Sequence, residues 1–422
     1  MAQTSARALA FAALRTWRAK KQFADAIISK ALSNSPLQSA DRAFALELFY
    51  GVLRNLTLLD FWIRELRSSR VDVDLRDLLR LGLYQLFIAN TPEHAAVNET
   101  VELATKKRRS IVNAVLRSAA RERQTLKEKA KAQPLEIRSS HPKSLVERWQ
   151  KQFGGEAMEA LCEWNNQPPS IYARVNQLRI DRQSFFERYP TARALPNFSN
   201  FAELPSTVNA LAAGDCYVQD PSTAIACELL APHPGEKILD ACAAPGGKSS
   251  YLAELMQNRG SIVACDRDQQ RLQLLEGNLS RLNAKIGKVC RQNWTESAVS
   301  EEILSEAPFD RILVDAPCSN TGVMRRRVDV RWRLRPIDFK RIQTRQLQIV
   351  RAVLPLLKPN GVLVYSTCSL EREENEDVVQ ELTKTMSILR LEEERRSLPF
   401  IDNFDGAYAA RLRLHPTRAV ES

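Results

Sequence analysis

From Met1 to about Arg123, apolar side chains recur at helical spacing: Leu9, Ala13 and Trp17, then Phe44, Leu48 and Val52, then the nearly unbroken run 78–88. Within this stretch Pro36 and Pro92 are the only prolines, and Gly51 and Gly82 the only glycines. With breakers so rare, long uninterrupted helices are expected. Asp41 and Asp77 are placed to cap two of them, and Ser110 a last one that carries Val112, Val115, Leu116 and Ala119. The helix opened by Asp77 is apolar nearly all round, which predicts the centre of a bundle.

The pattern then changes. A Lys-, Gln- and Ser-rich stretch, 126–142, ends in Ser-Ser-His-Pro and reads as a linker. A helical segment at 143–165 and an alternating run at 170–176 predict a small α+β unit over 143–232. After Gly235 apolar runs alternate with helical patterns, and strands are expected at 237–240, 261–265, 288–290, 310–314 and 361–365. Strand, loop and helix in repetition are the signature of a doubly wound parallel sheet, here over 233–415. The fold expected is therefore an all-helical domain (1–125), a linker, a small α+β unit and an α/β Rossmann-like domain.

Composition narrows the chemistry. At 422 residues the chain exceeds one ordinary core. A 44% hydrophobic and 26% charged composition is that of a folded protein, and a formal charge of +11 favours a polyanionic partner. Charge alone does not separate that reading from a basic but otherwise ordinary enzyme. Eight cysteines without a Cys-x-x-Cys pair argue against a disulfide scaffold and point to a reducing, cytoplasmic setting. Four scattered histidines argue against a zinc site, and no apolar run is long enough to span a membrane. The segment 1–21 has the arginines and the lack of acids of a transit peptide, but its helical spacing favours the first helix of a folded domain.

The first strand of the sheet runs into Asp240-Ala241-Cys242-Ala243-Ala244-Pro245-Gly246-Gly247-Lys248-Ser249. Glycines at such a turn let backbone approach a ligand, and the helix that follows offers free N–H groups. Asp266 ends the next strand, about 20 residues on, where an acid can bind both hydroxyls of a ribose. Gly-Gly-Lys-Ser imitates a phosphate loop, but the earlier glycine of that pattern is replaced by Cys242, so a nucleoside cofactor is favoured over a triphosphate. Asp315, at another strand end, suits a cationic ligand.

Two cysteine motifs follow apolar strand-like runs: Asp315-Ala316-Pro317-Cys318-Ser319 and Ser366-Thr367-Cys368-Ser369. Ligands gather at the carboxyl ends of parallel strands, so two such ends can place two thiols over one substrate. Any single cysteine is more often a small buried hydrophobe, and that reading is applied to Cys162, Cys216, Cys227, Cys265 and Cys290. For Cys318 and Cys368 the paired placement favours chemistry.

Together these motifs resemble the RNA 5-methylcytosine methyltransferase family, over roughly residues 170–412. The likeness includes Gln219-Asp220-Pro221-Ser222 and Asp405-Gly406-Ala407-Tyr408. The N-terminal region separately resembles the RNA-binding factor NusB, through Asp41–Leu48, Leu79–Leu86, His94–Glu99 and Val112–Arg117. That pairing is the arrangement of bacterial small-subunit ribosomal RNA methyltransferases. The resemblance implies S-adenosylmethionine as cofactor and small-subunit (16S) ribosomal RNA as partner. Cys242, Ala243, Ala244, Pro245, Gly246, Gly247 and Lys248 would cradle the cofactor, Asp266 would take its ribose, and Asp315 would lie near its methionine end. Asn293 stands where the family commonly has an Asp near the adenine. Cys368 is implied to attack carbon 6 of cytosine, so that carbon 5 can accept the methyl group, and Cys318 to assist release.

The Arg325–Arg335 stretch, with six arginines around Trp332, is expected to hold RNA by phosphate contact and stacking. Lys106-Lys107-Arg108-Arg109 is a second candidate for backbone contact. A metal and a membrane play no part in this reading, and a monomer is expected. The rivals are the same reaction on transfer RNA or the large-subunit RNA, and a ribosome-assembly factor with an inactive catalytic domain.

Overall fold

The computed structural model describes residues 5–19, 22–206, 208–296 and 298–415. Two compact units emerge: residues 1–168 with 324–334, and residues 169–323 with 335–422. Of the segment 1–21, residues 1–4, 20 and 21 lie outside the described part.

The first unit is helical. Its elements are α1 (Ala6–Arg18), α2 (Ala24–Ser33), α3 (Ser39–Arg54), α4 (Leu56–Leu66), α5 (Val73–Phe87), α6 (Glu93–Glu102), α7 (Lys106–Arg121), α8 (Arg123–Lys131), α9 (Leu135–Arg138), α10 (Lys143–Phe153) and α11 (Gly155–Asn166). Leu9, Ala10, Ala13, Leu14 and Trp17 of α1 are buried, as their spacing requires. α5 buries Leu78, Leu79, Leu81, Leu83 and Leu86 around its circumference and is the central helix.

Three helix starts differ from expectation. Asp72, not Asp77, caps α5 by accepting from the amides of Asp74 and Leu75. Asp77 lies inside the helix, buried and paired with Arg18 and Arg80. α3 begins at Ser39 with Asp41 in its first turn, and α7 begins at Lys106, ahead of Ser110. Short polar residues are common both at caps and on solvated or paired faces, so residue type alone did not separate the two.

The expected linker, 126–142, is folded. It carries most of α8 and all of α9, with Leu126 and Ala130 buried. The Leu126 carbonyl accepts from Trp62 Nε1 at 3.1 Å, and Ser140 Oγ accepts from the Leu58 amide at 2.9 Å. Its polar composition reflects the solvated face of a short amphipathic helix.

The arginine-rich segment up to Leu334 also belongs to this unit, and four of its side chains are held internally. Arg331 is fully buried and donates to Asn166 Oδ1 at 2.7 Å and to the Asn165 carbonyl at 3.0 Å. The Arg325 guanidinium stacks 3.8 Å from the Trp164 ring centroid. Trp332 Nε1 donates to the Leu53 carbonyl at 2.8 Å, and Arg333 pairs with Asp329 at 2.7 Å. This corrects the RNA-holding expectation for these residues. A guanidinium has five donors in a rigid fork, which suits buried helix-end carbonyls as well as phosphates.

The second unit has two sheets. The smaller, antiparallel one comprises β1 (Tyr172–Val175), β2 (Arg193–Leu195), β3 (Phe198–Glu203) and β4 (Cys216–Val218), in the order β2-β3-β1-β4. The larger comprises β5 (Lys237–Asp240), β6 (Ser261–Asp266), β7 (Lys288–Arg291), β8 (Phe309–Asp315), β9 (Leu357–Thr367), β10 (Leu389–Ser397) and β11 (Ala407–Leu414), in the order β10-β11-β9-β8-β5-β6-β7. β5 through β9 are parallel and correspond to the five expected strands. β11 runs antiparallel to both β9 and β10, a hairpin the sequence pattern did not predict. From Arg390 to Arg396 β10 is exposed and almost entirely charged, as suits a sheet edge, so it lacks the apolar signal of a buried strand.

Candidate active site

The candidate chemistry lies at the carboxyl ends of the five parallel strands. β5 runs into the glycine turn and then into a helix, Gly247–Leu255. Gly246 has a φ of 102°, open to glycine at little cost, and a Cβ on Gly247 would stand 2.6 Å from the Tyr217 ring. The turn is tied to its neighbours: the Ala243 amide donates to the Cys265 carbonyl at 2.8 Å, and Asn278 donates to the Pro245 carbonyl at 2.9 Å.

Carboxylates surround this turn. Asp240 is fully buried and accepts from Ser249 Oγ at 2.7 Å, while its Oδ1 has no hydrogen-bond partner. Burial pushes its pKa up to about 7, against the pull of the Ser249 bond. Asp315 accepts from Lys248 Nζ at 2.7 Å and from Ser366 Oγ at 2.9 Å. Burial opposes the Lys248 charge, but Asp315 outweighs it and holds the ammonium above its ordinary range. The Cys242 thiol is pushed up by burial and by the negative field of Asp240, Asp315 and Asp266.

Asp266 ends β6, buried, with Arg271 at 3.0 Å and the Asp268 amide at 3.1 Å. Beyond the ends of β6 and β7 opens a cleft lined by Arg267, Asp268, Gln270, Arg291, Asn293 and Glu296. Asn293 faces this cleft, but its Oδ1 accepts from the amide and hydroxyl of Thr295, and its Nδ2 donates to Glu296 at 2.7 Å.

β8 and β9 bring the two cysteine motifs together. Their register sets Asp315 opposite Ser366, and the Ala316 amide donates to the Ser366 carbonyl at 2.8 Å. A few residues further on, Cys318 Sγ and Cys368 Sγ lie 3.2 Å apart, both half-buried and unbridged. Cys368 Sγ also contacts Asn320 Oδ1 at 3.3 Å, and Asn320 Nδ2 donates to the Cys318 carbonyl at 2.9 Å. The bond to Cys368, together with burial, raises the Cys318 pKa well above that of a free thiol. Two glycines allow backbones to meet beneath the pair: a Cβ on Gly322 would stand 2.8 Å from the Cys368 carbonyl, and one on Gly406 2.7 Å from Gly322 Cα.

Comparison with known proteins gives the arrangement its family. Residues 227–419 match the model of the 16S rRNA methyltransferase RsmB/F, residues 4–121 the NusB family, and residues 141–193 the ferredoxin-like domain of RsmF/B-like methyltransferases. The probable ribosomal RNA small subunit methyltransferase B of Bacillus subtilis is 34% identical over 90% of this chain and 88% of its own. The ribosomal RNA small subunit methyltransferase B of Salmonella paratyphi B is 36% identical over 91% of this chain and 94% of its own. The chain belongs to the ribosomal RNA small subunit methyltransferase B family. A solved methyltransferase homolog from Pyrococcus horikoshii is 30% identical, covers 66% of this chain and 97% of its own, and superposes with a TM-score of 0.58.

Against the sequence-based site of this family member, the structure gathers Cys242, Lys248, Asp315, Cys318 and Cys368 around the ends of β5, β8 and β9. Asn293 lines the cleft beyond the ends of β6 and β7, and Asp266 ends β6 just before Arg267 and Asp268, which also line it. Gln219–Ser222 and Asp405–Tyr408, quoted only for their likeness, meet where the Asp405 amide donates to Asp220 Oδ1 at 3.1 Å. Sequence reasoning did not single out Asn320, which touches Cys368, or Glu374 and Gln346, which bond to Ser319 and Ser369 and to Pro317 beside the two cysteines. Glu374 hides in a run of five charged residues and one asparagine, Glu371–Glu376, where nothing but its distance of six residues from Cys368 marks it. Among the described residues no cluster of His, Cys, Asp or Glu could hold a metal ion, and no helix is long and apolar enough to cross a membrane.

Proposed function

We propose that the chain methylates carbon 5 of a cytosine in small-subunit ribosomal RNA, with S-adenosylmethionine as methyl donor, in the reducing cytoplasm. The observation that carries this reading is the pair of free thiols 3.2 Å apart at the ends of adjacent parallel strands. S-Adenosylmethionine, when bound, supplies an electrophilic methyl group. Residues 242–248 and Asp266 would hold it, with Asp315 toward its charged end and Asn293 toward its adenine. The donor set fits such a ligand: a helix start at a glycine turn, a strand-end carboxylate for a ribose, and the orphaned carboxyl oxygen of Asp240 buried at the turn.

Carbon 5 of cytosine is a poor nucleophile. Addition of the Cys368 thiolate to carbon 6 breaks the 5,6 double bond and makes carbon 5 an enamine carbon. Once carbon 5 carries the methyl group, it must lose its proton and the Cys368–carbon 6 bond must break. The carbon 5 proton passes to a base, its bonding pair re-forms the 5,6 double bond, and Cys368 leaves as thiolate; the Cys318 thiol, in contact with Cys368, is placed to assist that departure. The target base must be unstacked to reach these thiols, so a loop or unpaired cytosine is the substrate.

The test is transfer of labelled methyl groups to separated ribosomal and transfer RNAs, with mapping of the modified base. Labelled 5-methylcytosine in the small-subunit RNA is the expected result. Label confined to transfer RNA or large-subunit RNA would move the substrate, and the absence of any transfer would leave an RNA-binding assembly factor.

A further inference from the structure

Cys318 and Cys368 stand on separate loops, and something must fix their separation. Ser319 and Ser369 directly follow the two cysteines, and both are buried. One carboxyl group reaches both. Glu374 Oε2 accepts from the Ser319 amide at 2.8 Å, and its Oε1 accepts from Ser369 Oγ at 3.0 Å. Gln346 Nε2 lies 3.3 Å from the same Oε2 and donates to the Pro317 carbonyl at 3.2 Å, which adds a hold on the first loop. Tyr365, just before the second loop, donates its hydroxyl to the Glu374 carbonyl at 2.5 Å. Glu374 is fully buried among these donors.

We propose that Glu374 is the positioning residue that sets the distance between the two thiols, by joining the backbone after Cys318 to the side chain after Cys368. A buried acid is costly to keep unless it is hydrogen-bonded, and here its partners come from both cysteine loops. A carboxyl group is short and rigid, so fixing one oxygen to each loop leaves the thiols little freedom to separate. Burial pushes the Glu374 pKa up to about 7, which marks how far the group is removed from water.

Two readouts test this, and only one rests on the cysteine roles proposed above. In the first, dilute hydrogen peroxide is added to the intact chain. The two thiols lose two protons and two electrons to form a disulfide, peroxide is reduced to two waters, and the Cys318–Cys368 peptide pair is followed by mass. Glu374→Ala should slow this closure by about tenfold or more, because sulfur–sulfur bonding needs the sulfurs held together. Glu374→Gln, which keeps an oxygen for the Ser319 amide and an amide for Ser369, should restore most of the rate. In the second, RNA and S-adenosylmethionine are added, and the ratio of covalent protein–RNA adduct to methylated product is measured. Glu374→Ala should raise that ratio, since release needs both thiols. A merely structural role would lower the folded fraction and leave the ratio unchanged.

If Glu374→Ala does not fold, Ser369→Ala removes one tie and should move both readouts in the same direction by a smaller amount. A folded Glu374→Ala or Ser369→Ala variant with wild-type closure rate and wild-type ratio would overturn the proposal. Should the wild-type chain form no adduct at all, the cysteine roles fail while the closure rate still decides the role of Glu374.

Discussion

The sheet holds two thiol pairs on adjacent parallel strands, and they differ in almost everything but chemistry. Cys265 and Cys290 are register partners within β6 and β7, both buried. The neighbouring Cys290 thiol and burial together raise the Cys265 thiol well above its ordinary range. Cys318 and Cys368 lie beyond the ends of β8 and β9, half-buried, with Asn320 against one sulfur and the Glu374 carboxyl behind both loops. Inside the strands a thiol has a ladder and a core around it and behaves as a small hydrophobe. Past the strand ends the backbone turns away, and the same group is left half-buried on a loop, at the side of a parallel sheet where ligands generally bind. Distance along the strand, not cysteine content, is what distinguishes the pair proposed for chemistry from the pair in the core.

The largest test of that contrast is to remove one sulfur from each pair. Cys368→Ala should abolish both methylation and the covalent RNA adduct, a loss of roughly 10⁴-fold or more, as for removal of other covalent nucleophiles. Cys290→Ala should leave methylation within about twofold of wild type, since that sulfur touches no reacting atom. An active Cys368→Ala variant would end the assignment of the nucleophile. Cys318→Ala should lose about 10²-fold or more in turnover while still attacking RNA, so that adduct accumulates in the presence of cofactor and persists as a shifted band on a denaturing gel. Lack of that band with a folded protein would remove Cys318 from the release step.

The two pairs also show how much was legible beforehand. β5, β6, β8 and β9 were visible because strands buried on both faces carry apolar runs, β7 by its place in the strand–helix alternation, and the cysteine motifs because each follows such a run. The hairpin of β10 and β11 was not, since a charged edge strand carries no such run. Glu374 was invisible for a related reason: burial of one acid in an acidic segment depends on loop packing that no local pattern encodes. Four residues of the arginine segment misled in the opposite sense. Its composition matched RNA binding, but Arg325, Arg331, Trp332 and Arg333 meet carbonyls, an aromatic ring and Asp329 within the helical unit. Charge states what a residue can bind, and only the fold states what it has already bound.

A smaller effect is expected at Asp240, whose strand lies between the two pairs in the sheet order. Its folded pKa of about 7 exceeds the ordinary value of 3.8, so the folded protein holds this proton more tightly than the unfolded chain. The associated stability is fully present below about pH 4 and is lost as pH rises through about 7. Asp240→Asn cannot titrate. From pH 4 to pH 8 its stability should therefore rise relative to wild type, by something on the order of 4 kcal/mol. Parallel denaturant curves for the two proteins across that range would not support the buried, protonated carboxyl.

The smallest expected effect concerns the buried pair itself. Cys265→Ala removes one sulfur from a packed strand without adding a polar group, and should destabilise the fold by about 1 kcal/mol while leaving adduct formation intact. In the native protein a thiol-alkylating reagent should label Cys368 first and spare Cys265 and Cys290, which should become reactive only when denaturant opens the sheet. Half-buried Cys242 makes an internal control, because its thiol is accessible in part but raised by burial and by three carboxylates, and it should react more slowly than Cys368. If Cys290 were labelled as fast as Cys368 in the folded protein, position along the strand would not be what distinguishes the two pairs, and the local electrostatics around each sulfur would have to carry the difference instead.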